Sequence, residues 1–210
     1  MPVQRAFRGQ SAEDRVAERR QRLLDSAFEL VVEGGWSAVT VRGVCAHAGL
    51  TARYFYESFS DRDALALAVF DQLAARAAVA VREAVARTPR DATARSRAAI
   101  DSFLDVVAED EVRGRVLLID TAADPLLRAR QRDIVLGFVE LIVEEVRDHY
   151  GAAAPREEDM RLTAHELVGA LGELLTAWLL GELHVSRGRL VAHCADLFAA
   201  VADRWERRPR

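Results

Sequence analysis

The sequence predicts an all-α protein: an N-terminal three-helix helix-turn-helix domain, joined by a long helix to a C-terminal helical bundle. Three observations predict it. Apolar residues recur at three- and four-residue intervals, and no window alternates with period two for long enough to make a sheet strand. Ala, Leu, Val, Arg and Glu dominate, while 12 Gly and 5 Pro are thinly spread over 210 residues; Ala, Leu, Arg and Glu are strong helix formers. The stretch Thr40–Phe59, TVRGVCAHAGLTARYFYESF, reads as two short helices around a sharp turn at Gly49.

Residues 1–14 form a predicted arm. It reads either as an untethered terminus or as a basic arm reaching DNA backbone through Arg5 and Arg8. Ser11-Ala12-Glu13-Asp14 resembles a capping box. The helix it opens carries Leu23, Ala27, Leu30 and Val31 on one face, with Leu24 and Phe28, and stops at Gly34-Gly35. Thr40 caps the next helix, whose inner face is Val41, Val44, Cys45 and Ala48, and Gly43 weakens it by ~1 kcal/mol relative to Ala. Leu50 fills the corner, and Thr51 opens a third helix, Thr51 to Ser58, dense in donors and rings. Phe55 and Phe59 read as core.

Ser60-Asp61-Arg62-Asp63 is a second near capping box. It starts a long helix with Leu65, Val69 and Leu73 inward, ending about Arg87 before Pro89 and acting as a lever into the second domain. Further helices are predicted over about 92–109, 111–120, 125–149, 156–181 and 187–207. The implied domains are 15–75 and 76–210.

Charge is uneven. The chain is formally −4, yet residues 1–62 hold nine Arg against eight acids. A basic end on an acidic body suits a protein that offers that end to a polyanion. Every basic residue is Arg. Cys45 and Cys194 lie far apart without metal-ligand or redox spacing, and both are expected reduced and buried. The N-terminus has no signal-peptide core and no 18-residue uncharged apolar run occurs, so a cytoplasmic protein without membrane contact is expected.

Thr40–Phe59 is thus a candidate DNA reader, with the third helix lying in the major groove. The block Gly35-Trp36, Thr40, Ala48-Gly49-Leu50, Tyr56, Phe59 and Arg62-Asp63-Ala64-Leu65 closely resembles the TetR family of bacterial transcriptional regulators. The likeness spans the first third of the chain. It implies a helix-2 contact from Arg42 and a groove-facing set of Thr51, Ala52, Arg53 and Tyr54. It also implies phosphate contacts from Tyr56 and from Arg62, where a Lys is more usual; Thr40 and Ser58 flank this surface. Arg53 has the donors for a bidentate bond to guanine. Glu57 departs from the family pattern; it either pairs with an Arg or accepts from a cytosine amino group.

The resemblance further implies a homodimer on a palindromic double-stranded operator, released when a small-molecule effector enters the C-terminal effector-binding and dimerisation bundle. Apolar candidates for the effector site are Phe103, Leu117, Leu118, Phe138 and Trp178, with Asp120, Asp124 and Arg128 flanking a break. For all five apolar residues ordinary core packing is the competing role. The two last helices are apolar on more than one face, and Leu167, Leu171, Leu174, Leu175, Leu197 and Val201 are the candidate dimer contacts. No cofactor or metal is expected. Gly-rich phosphate loops, HExxH and Gly-x-Ser-x-Gly are missing from the sequence, and no His follows a Glu at three residues. These patterns argue against an enzyme. A helical adaptor acting through protein contacts is the rival, and it leaves the third helix unexplained.

Overall fold

The structure, a computed structural model, describes residues 11–109, 111–122 and 124–206; the predicted arm contacts Arg5 and Arg8 lie outside the described residues. Helices α1 (Ala12–Gly34), α2 (Val41–Ala48), α3 (Ala52–Ser58), α4 (Arg62–Arg87), α5 (Ala92–Val107), α6 (Glu111–Gly114), α7 (Pro125–Tyr150), α8 (Glu157–Leu179) and α9 (Arg187–Glu206) follow in order. No strand occurs among the described residues. The chain divides into two compact units, one up to Val69 and one from Phe70.

In the first unit, α1, α2 and α3 pack around one core. The predicted capping box is present: Ser11 Oγ accepts from Asp14 N at 2.9 Å, and Asp14 Oδ2 accepts from Ser11 N at 3.0 Å. Leu23, Ala27, Val39, Val44 and Phe55 are fully buried, each large one contributing about 1.5–3 kcal/mol of transfer free energy. Gly49 ends α2 at φ 63°, ψ 35°, left-handed backbone that side chains disfavour. Arg22 donates to the Ala48 carbonyl beside it, so α1 fastens that turn.

Two details differ from expectation. Gly43 is more than a weak point, because a Cβ there would meet Thr40 Oγ1 at 3.0 Å, the same oxygen that accepts Gly43 N–H and caps α2. The cap of α4 is Asp61 rather than Ser60: its carboxylate accepts from Ala64 N at 2.8 Å, while Ser60 donates to it at 3.0 Å. The Ala64 amide, with help from Ser60, holds the Asp61 carboxyl below its ordinary range.

In the second unit, α5 packs on α9 and α7 on α8. Val139, Val143, Met160 and Ala164 form the α7–α8 core, and Ile100, Leu104 and Val107 on α5 and Leu190, Val191 and Cys194 on α9 are buried as well. Ion pairs stitch the helices: Arg130 grips Asp71 with both ends of its fork at 2.6 and 3.0 Å, and Arg187 donates to the Asp101 carbonyl and Asp105. Arg95 pairs with Glu145, and Arg161 with Glu140. Cys45 and Cys194 are free and buried, and burial pushes both thiols up.

The predicted helix over 111–120 is instead a short α6, a π-helical turn (Arg115–Ile119) and a 3-10 turn (Asp120–Ala122). Gly114 abuts the Val107 carbonyl, 2.7 Å from where a Cβ would stand, and Leu179 at 2.8 Å. The Leu117 carbonyl in this irregular segment accepts from the Gln131 side chain at 3.2 Å, which ties it to α7.

α4 is long and apolar enough to pass a length-and-composition test for a membrane span, with mean hydropathy 1.6 in its best window. Its apolar residues are used inside both units, however: Leu65 and Val69 in the first, Phe70, Leu73, Ala77 and Val81 in the second.

Candidate nucleic-acid interface and interior cavity

α3 has only seven residues, so its orientation is fixed by which of them are buried. Phe55 is fully buried and Phe59 nearly so, stacked at 5.7 Å between ring centres. With that face inward, Ala52, Arg53 and Tyr56 point outward, three and four residues apart on one stripe. The Arg53 side chain is 84% exposed and Tyr56 is 60% exposed. Tyr54 and Ser58 are half-buried on the flanks. Thr51 is exposed and leaves its hydroxyl out of capping, and Arg42 is exposed on α2. Thr40 is exposed too, but its oxygen is occupied as the α2 cap.

Arg62 is placed otherwise than the resemblance implies. Its Nε donates to the Val39 carbonyl at 2.7 Å and one terminal nitrogen to the Trp36 carbonyl at 2.6 Å. Those carbonyls lie in the turn between α1 and α2, outside any helical ladder; the forked guanidinium donates to both, adding to the bond that Trp36 O accepts from Val39 N at 3.3 Å. Arg62 therefore ties the first turn of α4 to the entry of α2. That inward commitment competes with the phosphate role the resemblance implies.

Glu57, unexplained by the family pattern, pairs with arginine. Its Oε1 accepts from Arg53 Nε at 3.2 Å, and Oε2 lies 3.6 Å from an Arg19 nitrogen. The Arg19 guanidinium also covers the Tyr54 ring at 4.5 Å, and Arg20 covers Phe59 at 5.0 Å. The sequence reading missed Arg19 and Arg20. The i,i+4 spacing of Arg53 and Glu57 was the available signal.

In the second unit a cavity of about 130 Å³ lies among α4, α5, α7, α8 and α9. Leu141, Ile142, Val146, Phe198, Val201 and Trp205 supply its apolar wall, and Arg95, Glu145, His149 and Tyr150 the polar part. A more open groove of about 310 Å³ between α4 and α7 is lined by Asp71, Arg82, Arg130 and Phe138. Of the five predicted effector residues, Phe138 lines that groove; Phe103, Leu117, Leu118 and Trp178 line neither. Phe103 meets Phe138 edge-to-face at 5.5 Å, Leu117 is buried, Leu118 is half-buried, and Trp178 donates to the Val185 carbonyl at 3.0 Å. Asp124 caps α7 through the Leu126 amide. Among the described residues no three His, Cys, Asp or Glu side chains gather at metal-binding distance.

Of the predicted dimer contacts, Leu175 and Leu167 are consumed by the chain's own core, at 0% and 7% exposure. Leu171, Leu174 and Val201 are half-buried, and Leu197 is exposed. Exposed Leu162 lies on α8 and exposed Leu180 caps its C-terminal end; α8 also carries Gly169 and Gly172 with open space at their Cβ positions.

Residues 23–69 match the family model described as bacterial regulatory proteins, tetR family. That segment of the chain is similar to the DNA-binding region of TetR-family regulators. The matched segment runs from the core of α1 to the first two turns of α4 and so contains the whole helix-turn-helix. Across 175 residues, 83% of this chain and 78% of the relative, the sequence is 26% identical to the HTH-type transcriptional activator FasR of Mycolicibacterium smegmatis. Among solved structures, the fatty acid degradation regulator FadR from Bacillus halodurans has a TM-score of 0.71 at 16% identity, over 91% of this chain and 97% of that one. FadR from Bacillus subtilis in complex with stearoyl-CoA has a TM-score of 0.70 at 17% identity, over 86% and 97%. The fold is shared with solved structures of TetR-family regulators, and the part that matches the family model is the helix-turn-helix.

Proposed function

We propose that the protein is a homodimeric, cytoplasmic repressor that reads a palindromic operator through α2 and α3 and is released by a small-molecule effector with an apolar chain. The observation that carries this is the two-sidedness of α3: Phe55 and Phe59 anchor it, leaving Arg53 and Tyr56 outward with Thr51 and Arg42 nearby. Arg53 reads a guanine edge; Tyr56, Thr51 and Arg42 hold phosphate or flank the bases, which fixes register. Residues 15–75 serve as the DNA-binding domain and 76–210 as the effector and dimerisation domain. Two heads spaced by dimerisation meet half-sites about 34–36 Å apart. Leu197, Val201, Leu171 and Leu174 are contacts of the second copy.

The effector proposed is a fatty acyl compound. Support comes from the apolar lining of the α4–α9 cavity and from a fold neighbour that is in complex with stearoyl-CoA. At about 130 Å³ the cavity is well below the ~300–1,000 Å³ of typical ligand sites, so a long chain fits only after the helices part. Such a ligand binds the two conformations unequally, as any release mechanism requires. The activator reading is favoured by the name of the Mycolicibacterium relative.

A mobility-shift titration on DNA flanking the gene tests both. Acyl-CoA is expected to weaken operator binding at least tenfold, and Leu141→Trp, which fills the cavity, to abolish that response while leaving affinity intact. Binding strengthened by acyl-CoA would replace release with co-activation. No binding to any flanking DNA would favour an adaptor.

A further inference from the structure

The pairing of Glu57 gives this helix-turn-helix a device of its own. Arg53 has five N–H donors, and the described hydrogen bonds use only Nε, held by Glu57 Oε1 at 3.2 Å one turn along α3. The side chain is 84% exposed. Glu57 is itself held from α1, where Arg19 lies 3.6 Å from its second oxygen and stacks on Tyr54 at 4.5 Å. The carboxylate thus stands between two guanidinium groups, one on its own helix and one on α1.

We propose that Glu57 is a specificity-determining positioning residue: it orients the Arg53 guanidinium so that its two terminal nitrogens meet O6 and N7 of one operator guanine. This rests on the reading that Arg53 contacts the operator. Two effects then act together. A carboxylate beside the groove weakens binding to every duplex, because it opposes phosphate charge. The oriented guanidinium strengthens binding only where guanine presents paired acceptors. Glu57 costs affinity and adds discrimination, which accounts for an acid in a recognition helix.

Selection from a randomised operator library, with full-length protein at two salt concentrations, tests it. Arg53→Ala is expected to erase a preference of roughly 5- to 150-fold at one guanine per half-site. Glu57→Ala is expected to lower that same preference by about 3- to 10-fold, leave other positions unchanged, and tighten binding to random duplex. Glu57→Gln keeps an oxygen for Arg53 Nε and should retain the preference while still tightening non-specific binding. If Glu57→Ala tightens all sequences equally, Glu57 is only a repelling charge and the proposal fails. If it sharpens the guanine preference, Glu57 masks Arg53 and the proposal also fails. Equal loss in Gln and Ala would overturn the geometric role. If Arg53→Ala leaves every position unchanged, the underlying reading of Arg53 is what has failed, whichever way the Glu57 variants behave.

Discussion

Arg62 separates two physical accounts of the same residue. Replacing it with Met keeps the aliphatic stem and removes both donors to the Trp36 and Val39 carbonyls, at 2.6 and 2.7 Å. Hydrogen bonds from a charged donor contribute about 1.5–3 kcal/mol each, giving a gross loss of about 3–6 kcal/mol. The side chain is 41% exposed, so water rehydrates part of what is released, and the expected net loss is about 2–3 kcal/mol. Lysine, with one compact ammonium in place of a fork, should recover about half of that. Amide hydrogen exchange of peptides from the turn and α2 reads the first unit alone, and about 2 kcal/mol raises their exchange roughly thirtyfold. Operator affinity in Arg62→Met should fall with an unchanged salt slope. Unchanged exchange combined with a salt slope lowered by about 0.9 would refute the clamp and restore the phosphate contact.

Other substitutions probe the framework. Gly114→Ala puts a Cβ 2.7 Å from the Val107 carbonyl, so a loss of about 1–3 kcal/mol is expected in thermal denaturation; no loss would mean the segment after α6 adapts freely. Leu175→Ala should cost about 2–5 kcal/mol of stability, whereas exposed Leu197→Ala should leave denaturation nearly unchanged and weaken self-association in analytical ultracentrifugation. Asp61 is held below its ordinary range by the Ala64 amide, then by Ser60. Its contribution is therefore present above the unfolded carboxylate range, about 3.9, and is lost as pH falls through the lowered folded value. Asp61→Asn should accordingly flatten the acid limb of a urea-midpoint profile; a parallel profile would rule out that linkage.

Local chemistry made the fold readable from the sequence. Caps at Ser11 and Thr40, the Gly49 turn, the breaks at Pro89 and Pro125, and apolar spacing along α1 and α4 all act over a few residues, so they can be seen without coordinates. The outward stripe of α3 was legible for the same reason, since Phe55 and Phe59 leave only one way to lay the helix down. Partners chosen at a distance were not legible. Arg62 is 23 and 26 residues from the carbonyls it holds, and Arg19 reaches Glu57 across 38 positions of chain. Leu175 and Leu197 look alike in an apolar helical pattern, yet one is sealed in the core and the other is exposed. The cavity draws its wall from five helices, so no single periodicity announces it. The sequence by itself determined which residues form helices and which face of α3 is free. Only tertiary structure decided which arginines turn inward to carbonyls and carboxylates and which stay exposed, because the acceptors they meet are brought close by the fold and sequence distance does not specify that.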